Sequence, residues 1–476
     1  TQVPTFPYRY GRFRSSGNHF VKMKESTSVS NTTRYNGYGQ STCLAANHGV
    51  GFAAQAGAFS EYTFEKMGDP QPCYTDELFI EEAEAYFVAK VEAMIASGLE
   101  IGKEFTAADV AQPHSSDFCK CKNCMNAIAA ERANSAPVLY FTNIMADVMA
   151  ERFPGLWVSM LAYWGTSDPP KKTVPRDNVN VSYCFYNDIN KLVCGNHSLN
   201  GEECSRHAVD GWGTTNYTYA EEFKEWCRIS KRVTVWYYPL NWDFKTLRDD
   251  FKFFSEYGVH GFWICCADPS PWNDGKRESI DILAMYIIQR LLWNADMTDE
   301  EYRGMIDDYM YVLYGESGKL IYDYYEWIPA SEADGCWPVM ACYRSPAGAM
   351  NIEKTRDDFE LCISMFEDAI KYAPSAKAEY AVRLASCAMY TRGLFASYYD
   401  RYLNGSETQK ARYTEIWTYF RDLAVDTQYY FAGGYGASVG ELKLSDFNIE
   451  ENPGEMLARL SDSQSVVSEW WKWWEK

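Results

Sequence analysis

The sequence predicts an α/β protein: a (β/α)8 TIM-type barrel over residues 1–330, followed by a C-terminal α-helical domain over residues 331–476. Three observations predict it. From Phe6 to Trp293 short β-like runs alternate with helical stretches, the pattern of a parallel sheet with helical crossovers. Beyond Thr298 the apolar spacing is helical only. And 476 residues exceed the roughly 250–300 at which a single core stops growing, so about two domains are expected.

In chain order, residues 5–12 (TFPYRYGR) read as a first strand and 41–49 (STCLAANHG) as a second, with a further strand near 58–66. Residues 75–98 carry Leu78, Phe79, Ala83, Phe87, Val91 and Met94 near helical spacing, with Gly98 as a stop. Residues 99–108 read as a strand and 136–153 as a helix ending at Pro154-Gly155; 156–164 (LWVSMLAYW) is the next strand. Strand 179–186, helix 219–231, strand 232–239 (RVTVWYYP), helix 245–257, strand 260–266 (HGFWICC) and helix 279–293 complete the alternation. An open doubly wound sheet is the rival, but no Gly-rich dinucleotide turn is present. Helices at 301–314, 320–327, 351–373, 376–403 and 410–423 make the C-terminal part. The ring-rich tail 469–474 (EWWKWW) reads as a docking segment, with ligand contact as its other use.

A formal charge of −20 repels phosphate backbones and no basic stripe offsets it, so nucleic acid is not an expected partner. No apolar run reaches the roughly 18 residues of a membrane span. The aromatic content is high, with 36 Tyr, 25 Phe and 16 Trp. Rings with a polar handle suit surfaces that are apolar on one side and wet on the other, as sugars are; an aromatic core is the plainer use. Cys194 and Cys204 bracket a polar loop and form a bridge only in an oxidising compartment.

In such barrels the site lies at the C-terminal ends of the strands. The strand at 99–108, with Ile101 and Phe105 toward the helices, turns Glu104 inward and ends at Asp109. Later strand ends bring Trp164, then Tyr186 and Asn187, then Trp236, Tyr238 and Asp243, then Trp263; His197 lies in the loop between Cys194 and Cys204. Carboxylates interleaved with rings around one rim are what sugar cleavage needs: rings hold sugar faces, and carboxyl groups protonate the leaving oxygen and support an oxocarbenium-like centre. Such a site expects an oligosaccharide or glycoprotein glycan as partner and needs no cofactor for catalysis. Acidic loops in any acidic protein are the plainer reading.

His114, Cys119, Cys121 and Cys124 form a second cluster whose donors match a tetrahedral zinc set in type. The Cys-x-Cys-x2-Cys spacing lacks a second knuckle, so a metal-free knot is an equal reading of a structural set. A zinc-dependent hydrolase built on these four residues is one functional rival, and a carbohydrate-binding protein that lacks catalysis is another.

The run from Asp109 through the cysteine cluster, Cys194-Gly195-Asn196-His197 with Cys204, Trp236-Tyr237-Tyr238, Gly258-Val259-His260-Gly261-Phe262-Trp263 and Leu291-Leu292-Trp293-Asn294 together resemble glycoside hydrolase family 163. This is a family from gut-bacterial glycan-utilisation loci whose domain was long catalogued as of unknown function. The resemblance spans roughly Thr5 to Tyr325. It implies a retaining endo-β-N-acetylglucosaminidase acting on N-glycans, in which the substrate's 2-acetamido oxygen attacks the anomeric carbon. One carboxylate orients the amide and another is acid then base, a departure from the usual carboxylate nucleophile. Glu104 and Asp109 are the expected pair. A glycan substrate favours a secreted or cell-surface address.

Overall fold

The computed structural model describes residues 4–11, 48–60, 62, 71–103, 105–115, 117–185, 199, 216–237, 244–264, 279–330 and 351–427. Among them six strands form one sheet: β1 (Tyr8–Gly11), β2 (Ala107–Asp109), β3 (Trp157–Ala162), β4 (Val179–Cys184), β5 (Arg232–Tyr237) and β6 (Gly261–Ile264). Their order is β1-β6-β5-β4-β3-β2, and every neighbouring pair is parallel. Pairing the first strand with the last is the step that closes a barrel; among the described residues no strand joins β1 to β2, so the sheet is a curled half-barrel.

Three of the expected strands differ from the described structure or lie partly outside it. Gly49 opens a helix, α1 (Gly49–Gln55), instead of ending a strand, while 41–47 lie outside the described residues. Residues 58–60 and 62 are not strand, and 61 and 63–66 lie outside the description. The strand expected at 99–108 shrinks to the three residues of β2, because Gly102 adopts φ +81° and donates its N–H to Phe105 O at 2.8 Å, closing a turn before the strand starts. Apolar residues at 99, 101 and 105 imitated alternation but belong to a loop that packs on the core.

After α2 (Glu77–Ala96) comes α3 (Lys122–Glu131), a helix the sequence reading did not place; the other crossover helices follow where the spacing placed them: α4 (Ala136–Arg152) before β3, α5 (Asn216–Ile229) before β5, α6 (Phe244–Glu256) before β6, and α7 (Ser279–Trp293) after it. The link from β3 to β4 is different. Pro169, Pro170 and Pro175 deny it a helix. It is instead strapped to the preceding helices: Asn143 Nδ2 donates to Val174 O at 3.0 Å, Arg176 pairs with Asp147 at 2.9 Å, and Lys171 N–H donates to Glu131 O at 3.1 Å.

Both faces of the sheet are buried. Toward the helices, Tyr237 and Phe262 meet Phe251 and Phe254 of α6 at ring-centroid distances of 5.0–6.1 Å. The Tyr237 hydroxyl donates to Asp250 Oδ2 at 3.2 Å, so the polar end of that ring is satisfied inside the core. On the inner face, Asn180 Nδ2 donates to Ser159 Oγ and Thr234 Oγ1, lacing β3, β4 and β5 together in one polar layer. Beneath it the Arg232 guanidinium lies 3.4 Å from the Trp157 ring centroid. At the edge, a Cβ on Gly261 would sit 2.2 Å from Tyr8 O, so β1 reaches β6 only because position 261 has no side chain.

The remaining described helices are α8 (Asp299–Tyr314), α9 (Gly318–Ala330), α10 (Ile352–Lys371), α11 (Ala376–Ser397) and α12 (Glu407–Thr427), close to the five expected. Caps explain their starts: Thr298 and Glu301 form a capping box, and Asn351 and Ser375 each accept a backbone N–H three residues on. This part is joined to the sheet through α6, where Tyr302 donates to Phe244 O at 2.7 Å, Tyr322 stacks on Phe244, and Arg248 pairs with Asp299. No helix of the described residues is long and apolar enough to cross a membrane. Cys194, Cys204 and the tail 469–474 lie outside the described residues.

His260, at the entry to β6, is held neutral: burial first, and then the Arg232 charge, push its pKa down to about 4 from 6.5. The unfolded chain therefore takes up a proton before the folded one does. Stability is lost as pH falls through the window from 6.5 to about 4. His260→Gln should flatten the decline of Tm across that window relative to the unmutated protein. Parallel Tm curves would show that another group causes the decline.

Candidate functional site

The C-terminal end of the short β2 carries Asp109. It lies opposite Ser159 in the parallel register, and so shares the inner face with the Ser159–Asn180–Thr234 layer. Its Oδ1 accepts the Ala111 N–H at 3.1 Å, which aims the half-buried carboxylate across the turn that leaves the strand. The first turn of α1 presses on it: a Cβ on Gly49 would lie 1.9 Å from Asp109 O and 2.8 Å from Asp109 Cγ. Val50 N–H donates to Ala111 O at 3.0 Å and sets the same contact from the backbone.

The segment after β2 is held from several sides. Gln112 Nε2 donates to Leu161 O at 3.1 Å and to Thr166 Oγ1 at 2.8 Å, tying it to the end of β3. The Gln112 carbonyl accepts from His48 Nδ1 at 2.7 Å, which requires the proton on Nδ1 and leaves Nε2 of a neutral ring as an acceptor. Gln71 Nε2 donates to Pro113 O and Ser115 O, both at 2.7 Å, gripping the backbone on either side of His114.

So held, the exposed His114 places Nδ1 2.8 Å from the hydroxyl of buried Tyr163. Its ring centroid lies 5.4 Å from that of His48 and 5.5 Å from that of Trp164. Two imidazoles, a phenol, an indole and a carboxylate thus gather where β2 and β3 end. Two of the three described non-glycine residues with positive φ are here, His48 at 59° and Trp164 at 53°. Left-handed backbone costs a side-chain-bearing residue roughly 1–2 kcal/mol, and such strain concentrates at functional sites.

Of the residues expected from sequence, Asp109 and Trp164 come together with His114 at this rim. Trp236 and Trp263 lie further round the sheet as a parallel stack, 5.2 Å between centroids at 17°. Only 6–7% of either residue is exposed, so they form a floor beneath the strand ends more than an open platform. Glu104, Tyr186, Asn187, His197, Tyr238 and Asp243 lie outside the described residues. Alternation along a strand points to Glu104, whereas its described neighbours Gly102 and Lys103 lie in a turn. His48 and Tyr163 escaped the sequence reading. Only His48-Gly49 before a helix, and Tyr163 in the ring-rich end of β3, hinted at them.

The cysteine set differs from expectation in one member. His114 is engaged with Tyr163, and the fourth donor beside Cys119, Cys121 and Cys124 is Cys73; the four sulfurs lie within 4.8 Å of one another. No spacing signal links Cys73 to a triplet 46 residues away. Cys121 caps α3, its sulfur accepting the Cys124 N–H at 3.4 Å, and that bond pulls its thiol down to about 6. Burial pushes Cys119 up to about 11 and Cys124 higher still.

The fold and site together define a parallel α/β half-barrel with a polar, ring-lined rim at its strand ends. The chain belongs to the family described as "Domain of unknown function (DUF4838)", which matches residues 4–326. That description assigns no activity. No curated protein matches the chain. Among solved structures it is similar to a family GH115 4-O-methyl-α-glucuronidase, BtGH115A, with specificity for decorated arabinogalactans. The identity is 9% and the TM-score 0.45, with 88% of this chain and 59% of that one covered. The chain therefore spans about three-fifths of that enzyme's length.

If the Trp164 ring belongs to the rim and not to the core, Trp164→Gly removes backbone strain at the cost of rim contacts such as those with Tyr163 and His114. Stability in denaturant titration should then stay within about 1 kcal/mol of the unmutated protein. A loss of about 3 kcal/mol or more would mark the ring as a packed core member.

Proposed function

We propose that this chain is a retaining glycoside hydrolase that cleaves N-acetylglucosamine-containing N-glycans with the help of the substrate's own 2-acetamido group. The observation that carries the reading is Asp109 on the inner face at the end of β2, at the same strand ends where His48, His114, Tyr163 and Trp164 meet. The motifs that resemble family 163 support the choice of sugar.

In this reading Asp109 accepts the amide N–H of the substrate, which raises the nucleophilicity of the acetamido oxygen. That oxygen attacks the anomeric carbon as the leaving oxygen takes a proton from a second carboxyl group, for which Glu104 is the sequence candidate. Water then opens the cyclic intermediate, giving a proton back to that carboxylate, and the configuration is retained. The His114–Tyr163 pair, one exposed and one buried, offers a donor for a sugar hydroxyl at the rim. Trp164 offers an apolar face for the ring. The rival zinc hydrolase is the weaker reading, because His114 bonds Tyr163 and the fourth donor beside the three cysteines is the Cys73 sulfur.

Incubation with a complex N-glycoprotein, followed by mass spectrometry, should show one N-acetylglucosamine left on the protein. Asp109→Asn should lower turnover by roughly 10²–10⁴-fold while glycan binding persists. Near-normal turnover in that variant removes Asp109 from the mechanism. Glycan binding without any cleavage by the unmutated chain would instead make this a carbohydrate-binding protein.

A further inference from the structure

We propose that Cys73, Cys119, Cys121 and Cys124 bind one zinc ion as a closed tetrathiolate, and that this ion fixes the loop carrying His114 to the body of the protein. The first argument is distance. With Zn–S near 2.3 Å, the edge of an S4 tetrahedron is about 3.8 Å. Cys73 Sγ lies 3.6 Å from Cys121 Sγ and 3.7 Å from Cys124 Sγ, and no pair of the four sulfurs exceeds 4.8 Å. None of the four is joined in a disulfide. The spacing suits a single ion, whereas a multi-iron cluster spreads its cysteines round a larger core.

The second argument is the surroundings of the sulfurs. Cys119 Sγ accepts the Cys121 N–H and Cys121 Sγ accepts the Cys124 N–H, both at 3.4 Å. The Thr75 hydroxyl lies 3.3 Å from Cys124 Sγ and 3.4 Å from Cys73 Sγ. The Tyr62 hydroxyl accepts the Cys73 N–H at 2.7 Å and so orients the remote ligand's backbone. Such outer contacts hold metal-binding sulfurs in place. Four thiolates around a divalent ion leave a net charge of −2, and Lys120 and Lys122 alternate with the ligands along the chain. The thiols release their protons to solvent on binding.

The consequence reaches the rim. Gln71, two residues before Cys73, holds the backbone of Pro113 and Ser115. Phe118, just before Cys119, packs on Gly165, where a Cβ would lie 3.3 Å from its ring. The ion thus joins residues 71–75 to 119–124 and closes a frame around His114. The ion is a positioning element, remote from any bond that breaks.

The test uses the full chain, purified, incubated with zinc and desalted. Elemental analysis should find one zinc per chain, falling to near zero in Cys73→Ser and Cys121→Ser and staying at one in His114→Ala. Cobalt loaded in place of zinc into the unmutated chain should give the intense visible bands of a tetrahedral cobalt tetrathiolate, a result that does not depend on how the variants fold. A chain that retains no zinc, whether its thiols are free or oxidised to disulfides, overturns the proposal. So does iron as the retained metal, or zinc lost in His114→Ala and kept in Cys73→Ser.

Discussion

Burial of both faces of a parallel sheet is the constraint on which the other features depend. A strand covered on each side has no water for its side chains, so each face must be filled by rings or by groups that bond or stack within the protein, as Arg9 bonds to Phe6 O and Arg232 lies on Trp157. Toward the helices the filling is aromatic: Phe6, Phe251, Phe254 and Phe262 form one connected group, and Tyr237 adds a bonded hydroxyl. Each such ring is worth roughly 1.5–3 kcal/mol when taken out of water. On the other face Asn180 bridges two strands through Ser159 and Thr234, and Trp236 stacks on Trp263. Much of the aromatic excess in the composition is therefore spent inside the molecule.

That filled sheet leaves chemistry only to the strand ends. β2 is three residues long, and among the described residues β3 is its strand partner. The rim depends on supports from elsewhere in the chain: the glycine contact at Gly49, the two bonds of Gln112, and the grip of Gln71 on both sides of His114. The strained backbone of His48 and Trp164 persists because this frame over-determines it. The cysteine set lies just outside the same frame and shares its two segments, so the rim and the cluster are one mechanical unit.

Several features were legible from residue order because they are local. The helices near 75–98, 301–314, 351–373 and 376–403 follow from apolar spacing, and the structure starts them at Asp76, Thr298, Asn351 and Ser375, whose side-chain oxygens accept a backbone N–H three residues on. The strands β3 to β6 announce themselves as β-branched and aromatic runs, and the helices between β4 and β6 by apolar spacing. Asp109 was legible for the same reason: it ends a short apolar run beside a motif. The strand expected at 99–108 failed because apolar residues that anchor a loop look the same as residues that alternate along a strand.

By itself, then, the sequence determined the parallel α/β alternation, the helical second part and the carboxylate at the end of β2, since each rests on contacts within a few residues. Tertiary structure alone decided which histidine pairs with Tyr163, which cysteine completes the thiol set, and how far the sheet curls. Those outcomes join segments tens of residues apart, and nothing in local spacing records which of several similar side chains will be brought within bonding distance once the chain has folded.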